Sequence, residues 1–282
     1  MLAREAFSRP RLERQPEPTA EMEDPENVLA FHAQGAGPLV PVYHFNALAT
    51  SRLLRPGGTV FDLGSGSGQY LAYLARLRPD ARVIGLELSS SMASIGQRFL
   101  ADSGLNDRVE LRTGDMTSFT RHAPENIDVI SSVFALHHLP TLKHLSLCFK
   151  EIALARQQHQ CAIWLFDHVR PRHPRTPEVF PEIFTPKAPA EFRTDSCNSL
   201  RASFSFEQMS NALDSSTIGA MEHHCARFMP LYQAHWIASQ KSRNAVDEGQ
   251  PHTAAIEITQ QAKSQFNSLR MLFPGVQLDR VI

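Results

Sequence analysis

Two rhythms of apolar and polar residues alternate along most of this chain. Short, largely apolar runs lie at 59–63, 82–86, 127–132 and 161–166, and Arg108-Val109-Glu110-Leu111-Arg112 alternates charged and apolar residues; each segment has the length of a strand. Between them, apolar residues return at helical spacing and predict helices over 69–77, 91–103 and 141–156. Ser89 or Ser90 supplies an N-cap for the second of these. Strands alternating with helices imply parallel pairing and right-handed crossovers, so the fold class is α/β with a doubly wound sheet.

The pattern loosens toward both ends. Helices are predicted over 26–34 and over 43–54, where Phe45, Leu48, Leu53 and Leu54 fall near helical spacing. Past the fifth strand, residues 169–203 show no clear periodicity; five prolines run from Pro171 through Pro186, Pro189 follows, and Phe180, Phe184 and Phe192 are scattered among them. A long aperiodic insertion after a strand whose carboxyl end faces a site reads as a functional lid. Regularity resumes at Ser205-Phe206-Glu207-Gln208, a capping-box start for a helix to Leu213. Segments 217–222 and 226–238 read as two final strands joined by a turn near His223-His224-Cys225.

Over 253–272 a last helix carries an apolar stripe of Ile256, Ile258, Ala262, Phe266 and Leu269, continued by Phe273. Residues 1–25 are rich in charge and hold Pro10, Pro16, Pro18 and Pro25, so they are expected to be disordered or loosely attached. The expected organisation is that segment, a main domain over 26–240 with its insertion at about 169–203, and a helical extension over 241–282. The extension covers the site, caps the sheet edge, or joins two copies as a homodimer.

With 282 residues, 42% of them hydrophobic, the chain buries a full core. Its net charge of -1 gives no basic footprint, which disfavours nucleic acid as a partner. The one basic stretch, Arg170 to Arg175, reads as a solvated loop. Cys148, Cys161, Cys197 and Cys225 show neither CxxC nor zinc spacing and read as free thiols of a reducing cytoplasm. No run of membrane-spanning length and no signal-peptide core is seen, so neither membrane insertion nor secretion is expected.

Chemistry concentrates where the first strand ends. Asp62 is followed by Gly64, Ser65, Gly66 and Gly68 before the helix at Gln69, and glycine lets the backbone turn sharply and approach a ligand. A dinucleotide fingerprint needs Gly or Ala at the sixth position from Gly64, but Gln69 stands there. The spacing Asp62-x-Gly64-x-Gly66-x-Gly68 instead resembles motif I of the class I S-adenosylmethionine-dependent methyltransferases. The likeness continues through Glu87 at the end of the second strand, Gly114-Asp115-Met116 after the third, and Phe134 to Leu139 after the fourth.

That resemblance implies a seven-stranded, mostly parallel sheet of order 3-2-1-4-5-7-6, with N-terminal helices and S-adenosylmethionine (SAM) as cofactor. Glu87 would take both ribose hydroxyls and Asp115 the adenine amine. Leu88, Met92, Gly114, Met116 and Phe134 would complete the cofactor site with the glycine loop. For the reaction, His137, His138 and Asp167, with His168 beside it, follow strands four and five at the cofactor face, and Tyr43 belongs to a helix that closes over it. His44 and Asn46 share that helix and are further site candidates; His32 and the pair His223-His224 rank below them. No HxH or HExxH spacing appears, so no metal site is expected.

The resulting reading is methyl transfer to a small-molecule acceptor. Two alternatives stay open: cyclisation of the cofactor, as azetidine-2-carboxylate synthases perform with release of methylthioadenosine, and non-catalytic SAM binding.

Overall fold

The computed structural model describes residues 1, 5, 7–9, 11–18, 24–239 and 253–276. Its strands are β1 Thr59–Leu63, β2 Arg82–Glu87, β3 Val109–Thr113, β4 Val129–Val133, β5 Ala162–His168, β6 Glu222–Cys225 and β7 Tyr232–Ile237. They form one sheet in the order β3-β2-β1-β4-β5-β7-β6. The first five are parallel, and β7 is antiparallel to both β5 and β6.

Alternation along the strands feeds two hydrophobic layers. Val60 joins Val83 and Val129 under α2 (Val40–Leu53), α3 (Gln69–Leu77) and, farther out, the C-terminal helix. Phe61 and Leu63 point the other way with Ile84 and Ile130, against α5 (Leu142–His159) and α8 (Phe206–Asp214). Val60, Phe61 and Leu63 are fully buried, and each such side chain contributes about 1.5–3 kcal/mol. Helix starts follow local rules. Ser89 accepts the Met92 N–H at 3.0 Å to cap α4 (Ser90–Asp102), and Ser205 with Gln208 completes a reciprocal capping box on α8.

Four expectations need correction. The insertion folds as two helices, α6 (Thr176–Phe184) and α7 (Ala190–Ala202). Its prolines fall where helices tolerate them: Pro177 in the first turn and Pro189 at an N-cap. Pro181 lies inside α6, where Phe180 beside it is held in a cluster with Leu200 and Leu231.

The hairpin is displaced as well. Residues 217–221 make a turn from which Ile218 and Met221 reach into the core, so His223 and His224 lie on β6 and the connection is 226–231. The C-terminal helix, α9 (Gln260–Leu272), starts at an N-cap on Thr259, which accepts the Ala262 N–H at 3.2 Å. Residues 253–258 are non-helical, and Ala254 donates to the Leu77 carbonyl at 2.8 Å. Ala262, Phe266 and Leu269 of α9 are buried, and the helix packs on α2. The remainder of the expected extension, 241–252 and 277–282, lies outside the described residues.

Residues 11–18, expected to be loose, form an irregular strap. Arg11 and Gln15 donate backbone N–H groups to Arg172 and Arg201 carbonyls at 3.0 and 3.1 Å. Upstream, the fully buried Glu5 carboxylate accepts from the His173 N–H at 3.2 Å and Thr176 Oγ1 at 2.6 Å at the start of α6. Proline and charge read locally as solvated chain, but Glu5 is buried and the strap is tied down by these backbone hydrogen bonds. Helix α1 (Pro25–Gln34) then packs on α4 through Val28, Met92 and Ile95. No helix among the described residues is long and apolar enough to cross a membrane.

Candidate active site

The β1–α3 turn requires its glycines. Gly64 and Gly66 have φ of 74° and 54°, a region that disfavours residues with a Cβ. A Cβ on Gly64 would stand 2.3 Å from that of Ala135, whereas one on Gly66 would meet nothing within 4 Å. The second position is therefore a cradle open to a ligand. Glu87, at the end of β2, accepts from the Gly66 N–H at 2.7 Å and the Ser89 N–H at 2.9 Å, tying loop to strand. Burial pushes its carboxyl up against the pull of those donors.

The parallel register places Asp62 opposite Ser131, whose hydroxyl donates to it at 2.6 Å. Burial pushes Asp62 up to about 8; the Ser131 hydrogen bond opposes this and the charge of Glu87 adds to it. Asp62, Gly64, Ser65, Gly66 and Glu87 line one end of a cavity of about 490 Å³, with Leu88, Met92, Gly114, Asp115 and Met116 beyond them. That volume is typical of a small-molecule site. Gly68 does not line it but caps α3. Asp115 caps the short helix Met116–His122 by accepting from the Thr117 N–H at 2.7 Å. Ser65 Oγ is buried with no hydrogen-bond partner.

The cavity continues into an aromatic half. Phe134 adopts a left-handed φ of 55°, a costly conformation for a bulky residue. Its ring stacks on His168 at 4.3 Å and approaches Tyr232 at 5.9 Å. Burial, and next the charge of His137, push His168 down to about 3, leaving a neutral ring. The insertion contributes Phe180, Phe184, Phe192 and Asp195 to the walls. Burial and the charge of Glu17 hold Asp195 up at about 6, against His138 and His137.

Behind this half, Asp167 accepts from the His137 backbone N–H at 2.9 Å and bonds its ring Nδ1 at 2.6 Å. A carboxylate only accepts, so Nδ1 carries a hydrogen toward it and Nε2 is the nitrogen left over. Nε2 is buried without a hydrogen-bond partner. Glu17, from the strap, lies 2.9 Å from His138 Nδ1 and 3.8 Å from His137 Nε2, and accepts from Ser199 at 2.9 Å. Burial alone would lower His138, but Glu17 raises it to about 9; burial alone would raise Glu17, but His138 brings it down to about 2.

The remaining sequence candidates separate. Tyr43 lines the cofactor end near Tyr70, and burial with the Asp62 charge pushes its phenol up, so it stays a hydrogen-bond donor. His44 bonds Tyr73 at 2.8 Å and Asn46 accepts from the Trp164 indole at 2.8 Å, so both are tied up in packing. His223 and His224 sit on β6, pairing with His235 and stacking on Trp236. His32 bonds Ser67 Oγ in the glycine loop at 2.8 Å, closer to the site than its rank in the sequence suggested. Arg14, Glu17 and Asp195 went unseen, and only their charge amid apolar or proline-rich neighbours marks them in the sequence.

Residues 60–156 match the methyltransferase domain family. Over this stretch, about a third of its length, the chain is similar to a methyltransferase domain. Among similar curated proteins is the indolepyruvate C-methyltransferase of Streptomyces griseus, 25% identical over 128 residues, which cover 45% of this chain and 38% of that one. The chain thus spans well under two thirds of that relative's length. Among solved structures, the chain shares its fold with a SAM-dependent methyltransferase from Aquifex aeolicus, with a TM-score of 0.51, 16% identity and coverage of 76% and 98% of the two chains. The plantazolicin methyltransferase BpumL, solved with SAH, gives a TM-score of 0.57, 16% identity and coverage of 77% and 91%.

Proposed function

We propose that this chain is a methyltransferase that uses SAM to methylate a small-molecule acceptor. The observation that carries the reading is one continuous cavity, polar and glycine-lined at one end and aromatic at the other. Its first end fits the cofactor: Gly66 leaves a space that a Cβ would otherwise occupy, Ser65 offers an unpartnered hydroxyl, and Glu87 offers acceptor atoms. Glu87 would hold the ribose, Asp115 with Leu88 and Met116 the adenine, and Asp62 with the glycine loop the amino-acid portion. When bound, SAM supplies an electrophilic methyl group on a sulfonium.

The remaining work is positioning. Phe134 and Tyr232 present ring faces suited to a cation, and the neutral His168 adds no repulsion. The acceptor lies under α6 and α7, whose aromatic residues exclude water. Alignment of this kind contributes much of the barrier reduction in a displacement. His137, oriented by Asp167, lines the acceptor half. A wall with no basic cluster suits a compact acceptor, and cysteines of which none forms a disulfide among the described residues suit a reducing cytoplasm.

Incubation with cofactor alone and then with a panel of small metabolites tests this. Acceptor-dependent S-adenosylhomocysteine is expected. Methylthioadenosine above the non-enzymatic background without any acceptor would overturn methyl transfer in favour of cofactor cyclisation.

A further inference from the structure

The acceptor half contains a group of side chains that alignment alone leaves unused. Glu17, His137 and His138 each offer one ligand atom, and the three atoms lie within 4.8 Å of one another. The Glu17 carboxylate spans the two rings, one oxygen 2.9 Å from His138 Nδ1 and the other 3.8 Å from His137 Nε2. The rings themselves are 4.3 Å apart and tilted by 34°. Two imidazoles and one carboxylate are a donor set that first-row divalent ions favour, and three protein ligands leave coordination positions vacant.

His137 is the independent sign of a ligand. It is 2% exposed, and its Nε2 has no hydrogen-bond partner. Asp167 accepts the Nδ1 hydrogen at 2.6 Å, so the orphaned Nε2 is the ring nitrogen left to face Glu17, 3.8 Å away. A carboxylate on one ring nitrogen with the other nitrogen left free is how proteins prepare histidine to bind a metal.

We propose that Glu17, His137 and His138 bind one first-row divalent cation in the acceptor half of the cavity, where its open positions take an oxygen donor of the acceptor. The cation replaces the proton held between Glu17 and His138 together with any proton on His137 Nε2, and these protons leave to solvent. The acceptor class narrows to small molecules with a coordinating hydroxyl, carbonyl or carboxylate. This narrowing rests on the methyltransferase reading; binding of the cation does not.

The test uses the full chain after chelator treatment and dialysis. Zn²⁺ titrated against a chromophoric chelator should bind at about one per chain, and Co²⁺ should give visible bands of nitrogen and oxygen coordination. Glu17→Gln and His138→Gln should each weaken Zn²⁺ binding by about tenfold or more, while calorimetric binding of SAM verifies folding. Should a variant not fold, Co²⁺-induced paramagnetic shifts of the His137 and His138 ring protons in the parent chain decide instead. Absence of saturable Zn²⁺ binding, equal binding by parent and folded variants, or unshifted rings would overturn the site. None of those results bears on acceptor-dependent S-adenosylhomocysteine, whose absence from metal-loaded protein would count against the methyltransferase reading alone.

Discussion

One Asp167 carboxylate holds His137 at two points, the backbone N–H at 2.9 Å and the ring Nδ1 at 2.6 Å. It also accepts from the His168 N–H at 2.7 Å, so the ends of β4 and β5 are locked together. Burial would raise this carboxyl, but the charge and hydrogen bond of His137, with help from His168, keep it below its ordinary value. The ring of His137 therefore has one orientation, with its Nε2 left without a hydrogen-bond partner.

Asp167→Asn keeps the shape but offers an amide that can turn its donor toward Nδ1. The ring then loses its fixed tautomer, and turnover should fall about 10- to 100-fold, the usual cost of losing such an orienting partner. Cofactor affinity, set at the other end of the cavity, should not change. Steady-state kinetics beside calorimetry check the split; a parallel loss of SAM binding would mean that Asp167 is only structural.

Asp62 predicts a pH dependence. Its folded-state value of about 8 lies above the ordinary 3.8, so the free protein holds this proton at neutrality. Stability from this group is present below pH about 4 and declines as pH rises through about 8. A cationic ligand beside Asp62 favours the ionised form, so SAM binding should release a proton and tighten as pH rises from about 6 to 8. Calorimetry in buffers of different ionisation enthalpy reads that proton. A heat independent of buffer would contradict the placement of Asp62 beside the cofactor, and Asp62→Asn should abolish the effect.

Gly64 and Gly66 share a left-handed backbone but differ in surroundings. Alanine at either position strains φ at a cost of about 1–2 kcal/mol. Only Gly64→Ala also drives a Cβ to 2.3 Å from Ala135. Thermal melts should show Gly64→Ala far less stable, while Gly66→Ala stays folded and loses SAM affinity because its methyl fills the cradle. Equal melting losses with intact binding by Gly66→Ala would remove the cradle from the cofactor site.

Features that depend on near neighbours were legible in the sequence. Four of the parallel strands show as apolar runs and β3 as an alternation of Val109 and Leu111 with charged residues, the loop from Asp62 to Gly68 as a spacing, and the caps at Ser89 and Ser205 as single residues followed by a helix. Proline content concealed α6 and α7, because its meaning changes between a first turn and a loop. The helix carrying Tyr43, His44 and Asn46 was visible, but which of them faced the cavity depended on Tyr73 and Trp164, strangers in sequence. Glu17 was hidden most completely. Its partners His138 and Ser199 come from the β4 loop and α7, so nothing local separates it from a solvated carboxylate.

Arg14 is what presents Glu17 to those partners. Its guanidinium donates to the carbonyls of Ala202 at 2.6 Å, Pro140 at 2.5 Å, Leu139 at 2.6 Å and His137 at 3.0 Å, and lies 4.0 Å over the Phe204 ring. A planar fork with several donors can hold these groups at once, whereas an ammonium on a flexible stem cannot. Arg14→Lys should therefore fail almost as fully as Arg14→Ala. Each charged hydrogen bond contributes about 1.5–3 kcal/mol, so releasing the strap should raise the acceptor KM by at least about tenfold. Hydrogen exchange should quicken over 11–18 and 137–140 together, since the same guanidinium holds both, while SAM binding at Gly66 and Glu87 stays at the parent value. Faster exchange in the strap alone would detach it from the acceptor half, and Glu17 would then lose its claim to a place in the site.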